Sequence, residues 1–296
     1  MSDWLFGSAL DRVEFARTDP EWVRAAWTDE AALLLPVGEA AVAAAADGSL
    51  APVATSGDYD AERHYLLGLV DGTPWFATWA EADGLTPLRS IMDGLPAPHL
   101  QAAFTGAGLG TWHAGERFCG RCGSLTRVVA GGQSRLFTGC GRESYPRTDP
   151  AVIVAILDPD GRLLLGRQPS WAPGRVSVFA GFVEMGESLE QAVHREMAEE
   201  VGLDLAGITY LGSQPWPFPR SLMVGFLAHA SRTDVTAAEG EIELARWFTV
   251  PGLREAMASG EVTLPPHTSI ARRMIESWLA GELTSRSAQS ERSPRA

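Results

Sequence analysis

The segment from Ser188 to Leu203 carries a helix start, a helix stop and three clustered acids, and it restricts the surrounding fold more than any other stretch of the chain. Ser188 followed by Gln191 has the form of a capping box, and Gly202 suits the left-handed position that closes a helix, so the spacing predicts a helix over 189–201. At about 100° per residue, Leu189, Ala192, Val193, Met197 and Val201 share one arc, and Glu190, Gln191, His194, Arg195 and Ala198 share the other. Glu196, Glu199 and Glu200 fall inside or at the edge of the apolar arc. Acidic residues ordinarily sit on a solvated face. Burying several of them without a partner costs several kcal/mol per ion, so a cation belongs beside them. Hard carboxylate oxygens at this spacing suit Mg²⁺ or Mn²⁺, ions that also bridge phosphates.

Gly181, five residues, Glu187, seven residues and then Arg195-Glu196-Met197-Ala198-Glu199-Glu200-Val201-Gly202-Leu203 resembles the signature of the Nudix hydrolases at every defined position. The resemblance implies an α/β/α sandwich. It also implies cleavage of a nucleoside diphosphate linked to another moiety, by water attack on phosphorus with divalent metal. It assigns metal to Glu196 and Glu200, with Glu199 close by and the Ala180 carbonyl as a further ligand. Glu200 is the favoured proton acceptor, and Arg195 is expected to anchor its neighbouring glutamates.

A second motif narrows the substrate. Ser213-Gln214-Pro215-Trp216-Pro217-Phe218-Pro219-Arg220-Ser221 has alternating prolines, which predict a stiff, extended segment unable to continue a helix or a central strand. Trp216 and Phe218 then either wall a base pocket or plug into a core. The string resembles the mark of the NADH pyrophosphatase branch, which splits NAD(H) into AMP and nicotinamide mononucleotide. That resemblance assigns substrate contacts to Gln214, Trp216, Phe218 and Ser221, and to Phe182 and Tyr145 as aromatics for the base. It also assigns Ala271 to a substrate-touching segment, Glu241 to the metals and Arg89 to phosphate, though Arg89 reads equally as a surface arginine. Relatives are homodimers, so the same is expected here.

Cys119-Gly120-Arg121-Cys122 is a metal-knuckle pattern, and a second pair farther on would complete a zinc ribbon. Cys140 supplies half of that pair, whereas the position three residues earlier is Phe137. Two outcomes stay open: zinc held by three thiolates with an improvised ligand such as Glu143, a histidine or water, or a ribbon folded without metal around Phe137. The missing donor tips the balance to loss.

The 24 basic residues include no lysine, which excludes a Walker-type phosphate loop, a pyridoxal Schiff base and a lysine nucleophile. A net charge of −13 opposes polyphosphate and nucleic-acid backbones, so a local cation is needed to attract an anionic substrate. No run reaches the roughly 18 apolar residues of a membrane span, and Met1-Ser2-Asp3-Trp4-Leu5 is not the basic start of a signal peptide. A cytoplasmic enzyme without membrane association is the expectation.

The chain divides into an N-terminal domain over 1–112, a ribbon over 113–148, a catalytic α/β domain over 149–284 and a disordered tail over 285–296. Gly106-Ala107-Gly108-Leu109-Gly110 imitates a dinucleotide loop but lacks a preceding strand. The expected function is hydrolysis of NADH or NAD, extending to NAD caps on RNA. The alternatives are a hydrolase of another nucleoside diphosphate derivative such as ADP-ribose, and a non-catalytic nucleotide-binding regulator.

Overall fold

The computed structural model describes residues 10–284, so the expected tail over 285–296 and the chain's first nine residues lie outside it. Among the described residues, one unit runs up to Thr148 and includes Pro215–Ser221; the other comprises Asp149–Gln214 and the residues from Leu222 on.

The first unit opens with α1 (Pro20–Trp27), capped by the Asp19 side chain. It continues through β1 (Leu33–Gly38), β2 (Ala41–Val42), β3 (Val53–Ala54), β4 (Tyr65–Val70), β5 (Thr73–Trp79), β6 (Thr86–Pro87), α2 (Leu88–Ile91) and α3 (Ala97–Gly115). The sheet order is β4-β5-β1-β2-β6, with β3 added to β1. The glycines of the 106–110 stretch lie within α3. A Cβ on Gly106 would come 3.1 Å from Val37 Cγ1, and one on Gly110 would come 2.8 Å from Val37 Cγ2, so glycine lets α3 press against β1.

Helix α3 passes position 112 without a break and ends at Gly115. The cysteine-bearing segment follows as a three-stranded sheet of β7 (Thr126–Val129), β8 (Ser134–Phe137) and β9 (Glu143–Ser144). Arg135 is buried in this unit, and each arm of its guanidinium is used. Nε donates to Thr126 Oγ1 at 2.6 Å, Nη2 to Glu62 Oε2 at 2.8 Å and Nη1 to His113 Nδ1 at 2.8 Å. His113 Nε2 bonds Gly132 O at 2.8 Å, which requires the neutral tautomer protonated at Nε2. Burial, reinforced by the Arg135 charge against the Gly132 bond, pushes His113 down to about 4.

The second unit contains β10 (Asp149–Leu157), β11 (Leu163–Arg167), β12 (Phe179–Phe182), α4 (Leu189–Val201), β13 (Leu205–Trp216), β14 (Ser221–Ala230), β15 (Leu244–Phe248), α5 (Val250–Ala258) and α6 (Ile270–Leu279). Its sheet order is β13-β14-β10-β11-β15, with β12 also on β10. Alternate residues of a strand point to opposite faces. Ile153, Ala155 and Leu157 therefore pack with Leu253 and Ala256 of α5 and Met274, Ile275 and Trp278 of α6. Val152, Val154 and Ile156 pack with Ala192, Val193, Met197 and Val201 of α4. The sheet is thus sandwiched between helices, as the sequence implied.

The proline-bearing motif was read as unable to continue a helix or a central strand; β13 runs through Pro215 to Trp216 and is an edge strand, where a missing N–H leaves no ladder bond unmade.

Candidate active site

The site is built on α4, whose ends are fixed by local chemistry. Gln191 N donates to Ser188 Oγ at 3.2 Å, and Ser188 N donates to the Gln191 side chain at 2.8 Å, completing the capping box. Gly202 closes the helix with φ 65°, in the left-handed region. With the register set and Met197 and Val201 in the core, the acids take three different positions. Glu200 is 6% exposed. Glu196 is partly buried, and Glu199 faces solvent, farther out than the helical wheel suggested.

Arg195 organises this face. Nε and Nη2 grip the Glu187 carboxylate at 2.6 and 2.9 Å, a two-pronged arrangement that a lysine cannot make. Nη1 reaches Glu196 Oε1 at 2.9 Å and Glu199 Oε2 at 3.1 Å, and Nη2 donates to the Phe182 carbonyl at 2.8 Å. Hydrogen bonding from Arg195, with the Glu184 N–H, holds the Glu187 carboxyl down to about 2.

Strand β12 brings Ala180, Gly181 and Phe182 beside the helix, with Gly181 opposite Val152 of β10. A Cβ on Gly181 would fall inside the Glu196 carboxylate, so the leading glycine of the motif makes room for an acid fifteen residues later. The Phe182 ring is 58% exposed. Glu241, just before β15, adds its negative charge to those felt by Glu196 and Glu200. Burial, then Glu196, Glu241 and Glu199, push Glu200 up to about 8. Burial also raises Glu196, against the opposing pull of Arg195.

These residues fit a divalent cation. Oε2 of Glu200 is buried with no hydrogen-bond partner, and a buried anion repelled by its neighbours needs positive charge. The acids are gathered but not closed: among the described residues they do not converge within ligand distance of one another, and Arg195 holds two of them.

Other sequence-derived site residues are spread over both units. Trp216 and Phe218 meet edge-on with ring centres 4.9 Å apart and pack against the first unit's core, the plugging alternative for this motif. Arg89 lies over both rings, 5.4 Å from the Trp216 centre and 4.5 Å from that of Phe218. Tyr145 is exposed and donates to Glu143 Oε2 at 2.6 Å. Ser221 is buried at the start of β14, and Ala271 turns its methyl into the core beneath α6.

Gln214, assigned to substrate from the sequence, is 2% exposed and both ends of its amide are engaged. Nε2 donates to Thr268 O and Oε1 accepts from Ile270 N, each at 2.7 Å. It clips the segment before α6 to β13. Sequence reasoning missed this because the partners lie 54 and 56 residues away.

The NUDIX domain family matches residues 147–267. NAD-capped RNA hydrolase NudC of Mycobacterium bovis (strain BCG / Pasteur 1173P2) is 37% identical over 294 residues, covering 92% of this chain and 93% of that one. The protein of the same name from Mycobacterium tuberculosis (strain ATCC 25618 / H37Rv) matches to the same extent, 37% over 294 residues, with 92% of this chain and 93% of that one covered. NAD-capped RNA hydrolase NUDT12 of Homo sapiens is 41% identical over 180 residues, covering 57% of this chain and 39% of that one. The acid-bearing helix with its glycine cradle, and relatedness along almost the whole chain, place it plainly: the chain belongs to the Nudix hydrolase superfamily, in its NAD diphosphatase branch.

Proposed function

We propose that this protein hydrolyses the pyrophosphate bridge of NADH and NAD to AMP and nicotinamide mononucleotide, in its reduced form when NADH is the substrate, and removes the NAD cap from RNA 5′ ends. The observation that carries the reading is Glu200: a buried carboxylate with an unpartnered oxygen, facing the charges of Glu196 and Glu241 on a helix with the complete Nudix motif. Glu196, Glu200 and Glu241, assisted by Glu199 and the Ala180 carbonyl, would hold Mg²⁺ or Mn²⁺. When bound, such an ion supplies positive charge to the phosphate oxygens and acidifies water for attack on phosphorus.

The chain's own residues do the rest. Glu200 is the proposed acceptor of the attacking water's proton. Arg195 keeps Glu187 in place and restrains Glu196 and Glu199, so the acids do not splay under mutual repulsion. Phe182 offers an exposed ring for stacking on a base. A homodimer is part of this proposal and is checked by light scattering on the purified chain. No helix among the described residues is long and apolar enough to cross a membrane.

The test is incubation with NADH, NAD, NAD-capped RNA and ADP-ribose in Mg²⁺ or Mn²⁺, with products resolved by chromatography. AMP and reduced nicotinamide mononucleotide in equal amounts from NADH, or AMP and nicotinamide mononucleotide from NAD, support the reading. Release of AMP from ADP-ribose alone transfers the assignment to that substrate, and binding without any turnover makes the protein a regulator.

A further inference from the structure

The cysteine-bearing segment contains two turns of the same construction. In the first, Cys119 N donates to Ser124 O at 2.8 Å, Gly123 N to Cys119 O at 2.9 Å, and Gly123 has φ 69°. In the second, Phe137 N donates to Arg142 O at 2.8 Å, Gly141 N to Phe137 O at 2.9 Å, and Gly141 has φ 68°. The turns superpose Cys119 on Phe137 and Cys122 on Cys140. The backbone of a two-knuckle site is therefore intact although one ligand has been replaced by a ring that is 9% exposed.

The thiols remain collected. Cys119, Cys122 and Cys140 have all three sulfurs within 4.8 Å of one another, and no histidine or carboxylate among the described residues joins them. Cys119 Sγ and Cys140 Sγ are 3.9 Å apart. A tetrahedron with zinc–sulfur bonds of about 2.3 Å has edges of about 3.8 Å, so this pair already stands at the spacing of zinc ligands. The Arg121 N–H points at Cys119 Sγ from 3.4 Å.

Two of the three improvised donors named from the sequence, Glu143 and a histidine, are otherwise engaged. Glu143 is exposed and engaged by the Tyr145 hydroxyl, and both nitrogens of His113, the histidine nearest in sequence, are occupied by Arg135 and Gly132. Ser124 is the polar side chain against the thiols, with Oγ 3.2 Å from Cys122 Sγ. Gly139 N donates to the same oxygen at 3.0 Å. A Cβ at Gly139 would come 2.8 Å from Ser124 Cβ and 3.4 Å from Cys122 Sγ, so the second turn carries glycine where this serine needs space.

We propose that Cys119, Cys122 and Cys140 hold one zinc ion with the Ser124 hydroxyl oxygen as fourth donor, in place of the thiol that position 137 no longer offers. The site is a three-sulfur, one-oxygen variant of the ribbon, and the chain departs here from the loss of metal that its sequence favoured. The proposal concerns the ribbon's own residues and does not depend on which dinucleotide is cleaved.

The experiment uses the full chain purified without chelator, with metal measured by mass spectrometry and zinc affinity by competition with a chromophoric chelator. Cobalt-substituted spectra count the thiolates. The expected result is about one zinc per chain, charge transfer from three thiolates, and a loss of affinity of at least about tenfold in Ser124→Ala. Phe137→Cys is the control that keeps a site even if the alanine variant loosens the ribbon: it gains a fourth thiolate, and Ser124→Ala then has no effect in that background. Three outcomes overturn the proposal: wild type without zinc where Phe137→Cys binds it, equal affinity of wild type and Ser124→Ala, or a Cys119–Cys140 disulfide in the purified protein.

Discussion

Gly181 and Glu196 occupy one another's space: the carboxylate on α4 sits where the first carbon of any side chain on β12 at position 181 would be. Gly181→Ala therefore displaces Glu196 without changing any charge. Because its backbone is not in the left-handed region, alanine adds no strain of its own. A shift on the order of 1 Å in a catalytic group costs about 10² in rate. We expect kcat for NADH to fall by about that factor while the circular dichroism melt stays near wild type. Wild-type turnover in Gly181→Ala would mean that Glu196 need not sit where it does.

Glu200 sets activity against stability. Its buried carboxylate, with one unpartnered oxygen and like charges around it, opposes folding in the absence of a cation. Glu200→Gln keeps the shape and removes the charge, so in chelator the variant melts at a higher temperature than wild type. Turnover with Mg²⁺ drops by at least about 10², and added Mg²⁺ stabilises wild type more than the variant. Scanning calorimetry with and without the ion, beside a product assay, reads both effects. A variant less stable than wild type in chelator contradicts the argument.

Gln214 gives a prediction that separates holding from substrate contact. Gln214→Leu leaves Thr268 O and Ile270 N without their buried partner, at a cost of about 1–3 kcal/mol for each unsatisfied group. The melting temperature falls, and turnover measured well below that temperature changes mainly in kcat. A rise in KM with unchanged melting would return Gln214 to the substrate-binding set.

His113 makes the first unit sensitive to mild acid. An unfolded imidazole titrates near 6.5, whereas burial holds His113 in the fold down to about 4. The unfolded chain therefore takes up a proton, over this interval, that the folded chain excludes. The stability due to the neutral ring is full above pH 6.5 and is lost as pH falls from 6.5 to about 4, by on the order of 3 kcal/mol. Urea unfolding of wild type and His113→Gln at pH 7, 5.5 and 4.5 isolates the effect, since glutamine takes up no proton. Parallel pH profiles for the two proteins would remove His113 as the source.

What could be read from the chain before folding was local. The start and stop of α4 rest on Ser188, Gln191 and Gly202, side chains that bond within their own turn, and the box over 181–203 carries its spacing in the sequence itself. The strands β10 and β11 are short apolar runs and Ser269 caps α6, features again contained within one pleat or one turn. The helical wheel set Glu200 inward correctly, but it misplaced Glu199, because it does not know how far the neighbouring strands extend.

The sequence by itself therefore determined the family, the helix and the identity of the acids, since capping, periodicity and motif spacing act over a few bonds of chain. Only the tertiary structure decided that Gly181 cradles Glu196, that Gln214 is spent on backbone 54 and 56 residues distant, and that Ser124 stands against the Cys122 thiol. Those relationships depend on which elements pack together. Burial then converts a polar side chain from something free to meet a ligand into something that must be bonded where it lies.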